Sequence, residues 1–228
     1  MKVVLLAAGK GTRMMPLTKD TPKPLLKING KPFLYYMIER LKKAGYTEFG
    51  IIYSVMKDQF ERFMDEYNVN GTLIMQENQL GTGDALKKAR AFIGEDDFVM
   101  IYADNIFSVD DYKHFNLSDD FCYVSGLKHE HPENYGVLLE KDGYLREIVE
   151  KPKEFVGNLI SAGIFKFTPA IFDALDKIEL SPRGEYELTD AVTILAEKKK
   201  VKVVQVSIMV DFGKLEDVPK VESYLSDE

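Results

Sequence analysis

One cysteine, three histidines and only short apolar runs set the first limits on this chain of 228 residues. A lone thiol, Cys122, permits no intrachain disulfide, and its apolar neighbours mark it as a buried, inert residue. The first apolar run, Val3 to Ala8, is shorter than a signal-peptide core and far too short to cross a bilayer. A cytoplasmic protein with no membrane partner is therefore expected. His114, His129 and His131 have no metal-ligand spacing. No internal repeat, low-complexity tract or Pro/Gly/Ser linker divides the chain, so a single domain over residues 1–228 is expected. At 26.0 kDa it is long enough to bury a sizeable core.

Basic charge is scarce overall and concentrated in one place. The net charge is −7, yet Lys10, Arg13, Lys19, Lys23, Lys27 and Lys31 face only Asp20 between positions 10 and 31. A positive pocket on an acidic protein suits a small polyanion better than a nucleic-acid backbone. The stretch that holds it begins Val3-Val4-Leu5-Leu6-Ala7-Ala8-Gly9-Lys10-Gly11-Thr12-Arg13. It reads as a buried strand emptying into a loop whose glycines let backbone N–H groups approach an anion. It is neither a dinucleotide fingerprint, since Met14 stands where a third glycine belongs, nor a Walker loop, since the order is Gly9-Lys10-Gly11.

The periodicity then alternates. Phe33, Leu34, Met37, Ile38, Leu41 and Ala44 recur at helical spacing until Gly45, and Phe49 to Val55 reads as a buried strand. A second helix carries Phe60, Phe63, Met64 and Tyr67. A strand from Thr72 to Gln76, a helix from near Asp84 to Phe92, and the apolar strand Phe98 to Ala103 follow. This alternation implies βαβ units and a mostly parallel sheet. The second half has shorter strands, at 121–127, 135–139 and 144–149, with Asp142-Gly143 as a hairpin turn. A strand at 161–167, helices near 171–175 and 188–199, a strand at 201–208 and a helix near 218–225 complete the chain.

Several polar residues stand out on chemical grounds. Gln76 is followed by a glycine loop, Gly81-Thr82-Gly83-Asp84. Thr82 or Asp84 could cap the next helix, or the Gln76 amide could read a pyrimidine base, offering a donor and an acceptor. Asp104 follows the most apolar strand, where ligands bind in parallel sheets, and either caps a turn or the next helix or pairs with Mg²⁺ bound to a triphosphate.

The order Leu6-Ala7-Ala8-Gly9-x-Gly11-Thr12-Arg13, then Pro16-Leu17-Thr18, then Pro22-Lys23-Pro24-Leu25, resembles the sugar-1-phosphate nucleotidylyltransferases. The resemblance runs from Val3 to Asp217. It implies a Rossmann-like three-layer α/β sandwich of the GT-A-like type with a mostly parallel mixed sheet. Nucleotide binding falls to about residues 1–110 and sugar binding to about 111–228. It further implies that Leu6, Ala7, Ala8, Gly9, Gly11, Thr12 and Arg13 hold a nucleoside triphosphate, and that Arg13, Lys23 and Asp104 are catalytic. Gln76, Gly81 and Thr82 fall on the segment that reads a pyrimidine, favouring UTP or dTTP.

Lys23, Gly136, Glu150, Lys151, Ser161 and Gly163 inherit contacts to a sugar 1-phosphate, and Asp104 and Asp211 inherit Mg²⁺. Ser161 stands where Asn or Thr is usual, and Lys214-Leu215 replaces the Thr-Pro that commonly follows Asp-x-Gly. Thr189 and Asp190 position the helix they open. By the same resemblance, the substrates are a nucleoside triphosphate and a sugar 1-phosphate, glucose 1-phosphate first, with self-association left open. No hexapeptide repeats follow Asp217, so one activity is expected of the chain. The competing readings are a phosphocholine cytidylyltransferase and a non-catalytic regulatory subunit. The retained Arg13, Lys23 and Asp104 argue against the second.

Overall fold

The computed structural model describes residues 1–226. Nine short apolar segments become one sheet: β1 (Lys2–Leu6), β2 (Phe49–Tyr53), β3 (Gly71–Met75), β4 (Phe98–Tyr102), β5 (Cys122–Lys128), β6 (Gly136–Lys141), β7 (Tyr144–Glu150), β8 (Leu159–Phe167) and β9 (Val201–Gln205). Their order is β3-β2-β1-β4-β8-β5-β9-β7-β6. Helices cover both faces: α1 (Phe33–Lys43), α2 (Lys57–Glu66), α3 (Thr82–Lys88), α4 (Arg90–Ile93), α5 (Val109–Lys113), α6 (Ala170–Leu175), α7 (Leu188–Glu197) and α8 (Val218–Ser226).

Successive strand residues point to opposite faces, so the central strands feed two cores at once. Val3, Leu5, Ile51, Val99 and Ile101 pack with Phe33 and Met37 of α1, Phe60 of α2, Tyr112 of α5 and Val221 of α8. Val4, Ile52, Phe98 and Met100 pack with Leu86 of α3, Ile93 of α4, Phe172 of α6 and Val192 of α7. Each such fully buried aliphatic or aromatic side chain contributes about 2 kcal/mol relative to exposure. Cys122 lies in the second core, as its neighbours foretell.

The expectation of a mostly parallel sheet requires correction. β3, β2, β1 and β4 are mutually parallel, as their helical crossovers demand, and β9 runs parallel to β5. The remaining pairings, β4 with β8, β8 with β5 and β6, and β7 with β9 and β6, are antiparallel. The hairpin between β6 and β7 turns on Asp142 and Gly143, both at positive φ, as the Asp-Gly dipeptide predicts. Because β8 touches β6 as well as β5, strands β8, β5, β9, β7 and β6 close into a small barrel beside the parallel half. Thus the molecule is a mixed α/β structure with helices on both faces.

The helix expected from near Asp84 to Phe92 is split into α3 and α4, and neither Thr82 nor Asp84 caps it. Gly81 precedes α3 without a side-chain cap. The Thr82 hydroxyl instead accepts from the Leu188 N–H at the start of α7.

One charged group is buried where the two halves of the sheet join. The Lys166 side chain on β8 is fully enclosed, with its ammonium 2.7 Å from Asp97 and donating to the carbonyls of Asp119 (2.6 Å) and Phe121 (2.8 Å). Removing the lysine leaves a void at an enclosed position, two carbonyls without their donor, and the partly exposed Asp97 and Asp119 carboxylates without their partner. Lys166→Ala is expected to destabilise the fold by about 3 kcal/mol. An unchanged urea midpoint would show that the Asp97 and Asp119 carboxylates rehydrate at no cost.

Candidate functional site

The four parallel strands end along one edge: β1 leads through Ala7 and Ala8 into the glycine loop, β2 into Ser54, β3 into Gln76, and β4 through Ala103 into Asp104. This edge is where an open parallel sheet leaves a crevice for ligands. A cleft of about 600 Å³ opens there and continues between the barrel and the 181–189 segment.

The glycine loop forms its first wall. Gly11 sits in the left-handed region at φ 63°, and a Cβ there would come within 3.0 Å of the Thr18 side chain. The Thr18 hydroxyl donates to the Gly11 carbonyl at 2.8 Å, and Met14 is buried beneath the single turn Thr12–Met14. Anchoring Met14 leaves Arg13 exposed at the cleft. Gln79 braces the loop from below, its amide donating to the Ala8 carbonyl and to the Ser54 hydroxyl (2.7 Å).

The charged centre is assembled from three distant segments. The Lys23 ammonium lies 2.7 Å from the Asp104 carboxylate, and that lysine is only 11% exposed. Asp211 is brought alongside by a two-residue antiparallel pairing, Asp211 with Asn105 and Val210 with Ile106, and by the Phe212 N–H donating to the Asp104 carbonyl at 2.8 Å. Burial, then the nearby charges of Asp104 and Asp217, push the Asp211 carboxyl up to about 6 against the opposing pull of Lys23 and Arg13. Asp217 in turn accepts from the Gly213 and Lys214 N–H groups, both at 2.8 Å, and so shapes the turn that follows Asp211.

The far wall carries carboxylates and one guanidinium. Gly136 of β6 pairs directly with Glu150 of β7, and a Cβ at Gly136 would meet Ile148 at 2.9 Å and a Glu150 carboxylate oxygen at 3.2 Å. Arg183 gathers Glu185 (2.8 Å), Glu187 (3.3 Å) and, more loosely, Glu150 (3.9 Å). Burial raises the Glu187 carboxyl, and the Ser181 hydroxyl donates to it at 3.0 Å. The same segment closes onto the glycines opposite. The Tyr186 carbonyl accepts from the Gly83 N–H at 2.8 Å, and a Cβ on Gly81, at φ 103°, would strike that carbonyl at 2.6 Å.

Of the residues singled out from sequence, Leu6, Ala8, Gly9, Arg13, Gln76, Gly81, Thr82, Asp104, Gly136, Glu150, Lys151, Ser161 and Asp211 line the cleft. Ala7 points into the core instead, and Gly11 and Thr12 shape the loop without lining the cleft. Lys23 reaches the centre through Asp104. Gly163 lies behind the wall at φ 101°, where a Cβ would press on the Tyr102 ring at 2.8 Å.

Tyr102, Asn134, Arg183 and Glu187 also line the cleft and were not singled out from sequence. Arg183, Glu185 and Glu187 stand two apart, but the chain turns at Arg183-Gly184, with Gly184 at φ 74°, so extended-chain spacing does not explain their meeting. Nothing local marked Tyr102, whose burial and position beside Glu150 raise its hydroxyl pKa.

This glycine loop, paired lysine and aspartate, and second aspartate sit at the carboxyl edge of a mixed sheet, and the chain matches the nucleotidyl transferase family over residues 2–228. The chain belongs to that family. It is 38% identical over 205 residues to the low-salt glycan biosynthesis nucleotidyltransferase Agl11 of Haloferax volcanii, covering 86% of this chain and 57% of that protein. It is 33% identical over 238 residues to the UTP–glucose-1-phosphate uridylyltransferase AglF of the same organism, covering 100% of this chain and 98% of that protein. The chain spans about half the length of most of the curated relatives it matches. Among solved structures, a UDP-glucose pyrophosphorylase complexed with UDP-glucose superposes with a TM-score of 0.85 at 25% identity, covering 100% of this chain and 99% of that one. No helix among the described residues is long and apolar enough to cross a membrane.

Proposed function

We propose that the chain transfers a nucleotidyl group from UTP or dTTP to a sugar 1-phosphate, glucose 1-phosphate first, releasing pyrophosphate. The observation that carries this reading is the convergence on one cleft of the Gly9–Arg13 loop, the Lys23–Asp104 pair with Asp211, and the Gly136–Glu150 wall. Those three parts match the three things the reaction must hold: a triphosphate, the reacting phosphates and a sugar. The names of AglF and of the UDP-glucose complex support the same substrates. In this reading the architecture is of GT-A-like type. Residues 1–110 serve the nucleotide, residues 111–228 serve the sugar, and the reaction is a cytoplasmic one.

In this mechanism a phosphate oxygen of the sugar 1-phosphate attacks the α-phosphorus in line. The new P–O bond forms as the bond to the pyrophosphate oxygen breaks. The attacking group is already an anion, so the protein supplies no covalent nucleophile. Its contribution is orientation and fixed positive charge. Arg13 and Lys23 neutralise charge on the transferring and leaving phosphates. Glu150 accepts from sugar hydroxyls, Lys151 approaches the sugar phosphate, and Ser161 offers a short hydroxyl at the sugar end. Gln76 and Gly81 face the base.

The donor set also fits Mg²⁺. Asp104 and Asp211 offer hard oxygen ligands, and the Asp211 carboxyl is raised first by burial and then by the charges of Asp104 and Asp217, which Lys23 and Arg13 only partly offset. Two carboxylates suit an ion that completes its shell with substrate phosphates. When bound there, Mg²⁺ neutralises phosphate charge between the reactants.

The test is pyrophosphate release with Mg²⁺, crossing UTP, dTTP, CTP, GTP and ATP with glucose, mannose, galactose and N-acetylglucosamine 1-phosphates. Release confined to uracil or thymine nucleotides is expected. Silence across the grid while nucleotide still binds would remove the catalytic reading.

A further inference from the structure

Gln76 borders the cleft, yet it is only 3% exposed. Its side-chain Nε2 lies 2.8 Å from an Asp84 carboxylate oxygen and 3.1 Å from the Gly81 carbonyl oxygen. Both neighbours are pure acceptors. An amide turned over would set its own oxygen against two others, so the chemistry of the surroundings fixes which end is nitrogen. Both Nε2 hydrogens are thereby committed. Among the described residues no protein donor reaches the Gln76 Oε1, and that atom is not sealed in the interior, so it is left to bond whatever enters at the edge of the cleft.

Asp84 accepts no capping hydrogen bond from the helix it occupies. It stands in the first turn of α3, but no side chain caps that helix. The bond to Gln76 is made across the glycine loop, and it links the end of β3 to the start of α3.

We propose that Asp84 is a positioning residue that locks the Gln76 amide as an acceptor, and that this lock selects uracil or thymine over cytosine. The proposal rests on the cleft holding a pyrimidine nucleotide at Gln76. Uracil and thymine present a ring N–H between two carbonyls, whereas cytosine presents an unprotonated ring nitrogen at that place. A freely rotating glutamine turns its NH₂ toward cytosine or its oxygen toward uracil and serves both. A locked Oε1 accepts from the uracil N–H but meets the cytosine nitrogen lone pair to lone pair. A buried acceptor left facing another acceptor is strongly disfavoured. Discrimination thus depends on a residue that does not touch the base.

The experiment compares kcat/KM for UTP and CTP, and calorimetric binding of both nucleotides, in the unaltered protein, Asp84→Ala and Asp84→Asn. In Asp84→Ala only the Gly81 carbonyl, at 3.1 Å, still opposes turning of the amide, and the UTP-over-CTP preference is expected to fall about tenfold, with CTP gaining in absolute terms. Asp84→Asn keeps an oxygen that Nε2 can reach and is expected to restore much of the preference. A purely structural role would weaken both nucleotides alike. An unchanged ratio in Asp84→Ala, or equal losses for UTP and CTP, overturns the proposal. If the unaltered protein binds nucleotides without turning them over, the catalytic reading fails by itself. The lock is then decided by the binding ratios, by the same criteria.

Discussion

Lys23→Ala is expected to lower kcat by about a thousandfold while leaving the molecule folded. The Lys23 ammonium is fixed 2.7 Å from Asp104 and is mostly shielded from water, so its charge is already in place before substrate arrives. Preorganised charge of this kind acts where negative charge develops and needs no rearrangement at the moment of reaction. The same substitution leaves Asp104 without its partner. Asp104 is 32% exposed and can recover hydration, so the stability loss is expected to be about 1 kcal/mol or less. Initial rates of pyrophosphate release, measured beside a thermal melt, separate the two effects. A variant that melts normally and turns over normally would remove Lys23 from the reaction.

Arg13→Ala is expected to cost about a hundredfold in kcat/KM, with no measurable change in the melting temperature. Its side chain is exposed at the cleft, and the turn that carries it is held by the buried Met14 and by the Thr18 hydroxyl on the Gly11 carbonyl. Among the described residues it makes no hydrogen bond or ion pair that the fold would lose. The contrast between the two variants is informative because Lys23 belongs to a charge pair and Arg13 does not. In Arg13→Lys a compact charge replaces a planar fork, and only partial recovery is expected if phosphate oxygens are gripped in pairs. Full recovery in Arg13→Lys would reduce the role of Arg13 to unspecific attraction.

What was legible in the sequence follows from locality. The strand that opens the chain, the glycine loop after it, helix α1 with its Gly45 stop, and the Asp142-Gly143 hairpin are each written in residues a few positions apart. Hydrophobic periodicity and turn chemistry act over that range. The parallel half of the sheet could be foreseen for the same reason, since strands separated by helices have only one short way to return. The antiparallel pairing of β8 with β4 and the closure of the barrel through β6 could not. They join Ile164 to Ile101 and Ile160 to Val137, and neither contact leaves a mark on the residues near it in the chain.

The site divides along the same line. The sequence alone determined that a basic glycine loop follows the opening strand, and that carboxylates and an amide stand at strand ends where ligands gather in parallel sheets. Those properties belong to residue types and to their neighbours in the chain. The tertiary structure decided which of them meet. It placed Asp211 beside Asp104, 107 positions away, through a two-residue pairing that no periodicity announces. It turned Ala7 into the core and brought Arg183 across to Glu150. It also gave the Gln76 amide a single orientation by setting Asp84 against it. Charge and hydrogen-bonding capacity are carried by single residues, but pKa shifts, acceptor locks and shared charge arise only when distant groups are desolvated together.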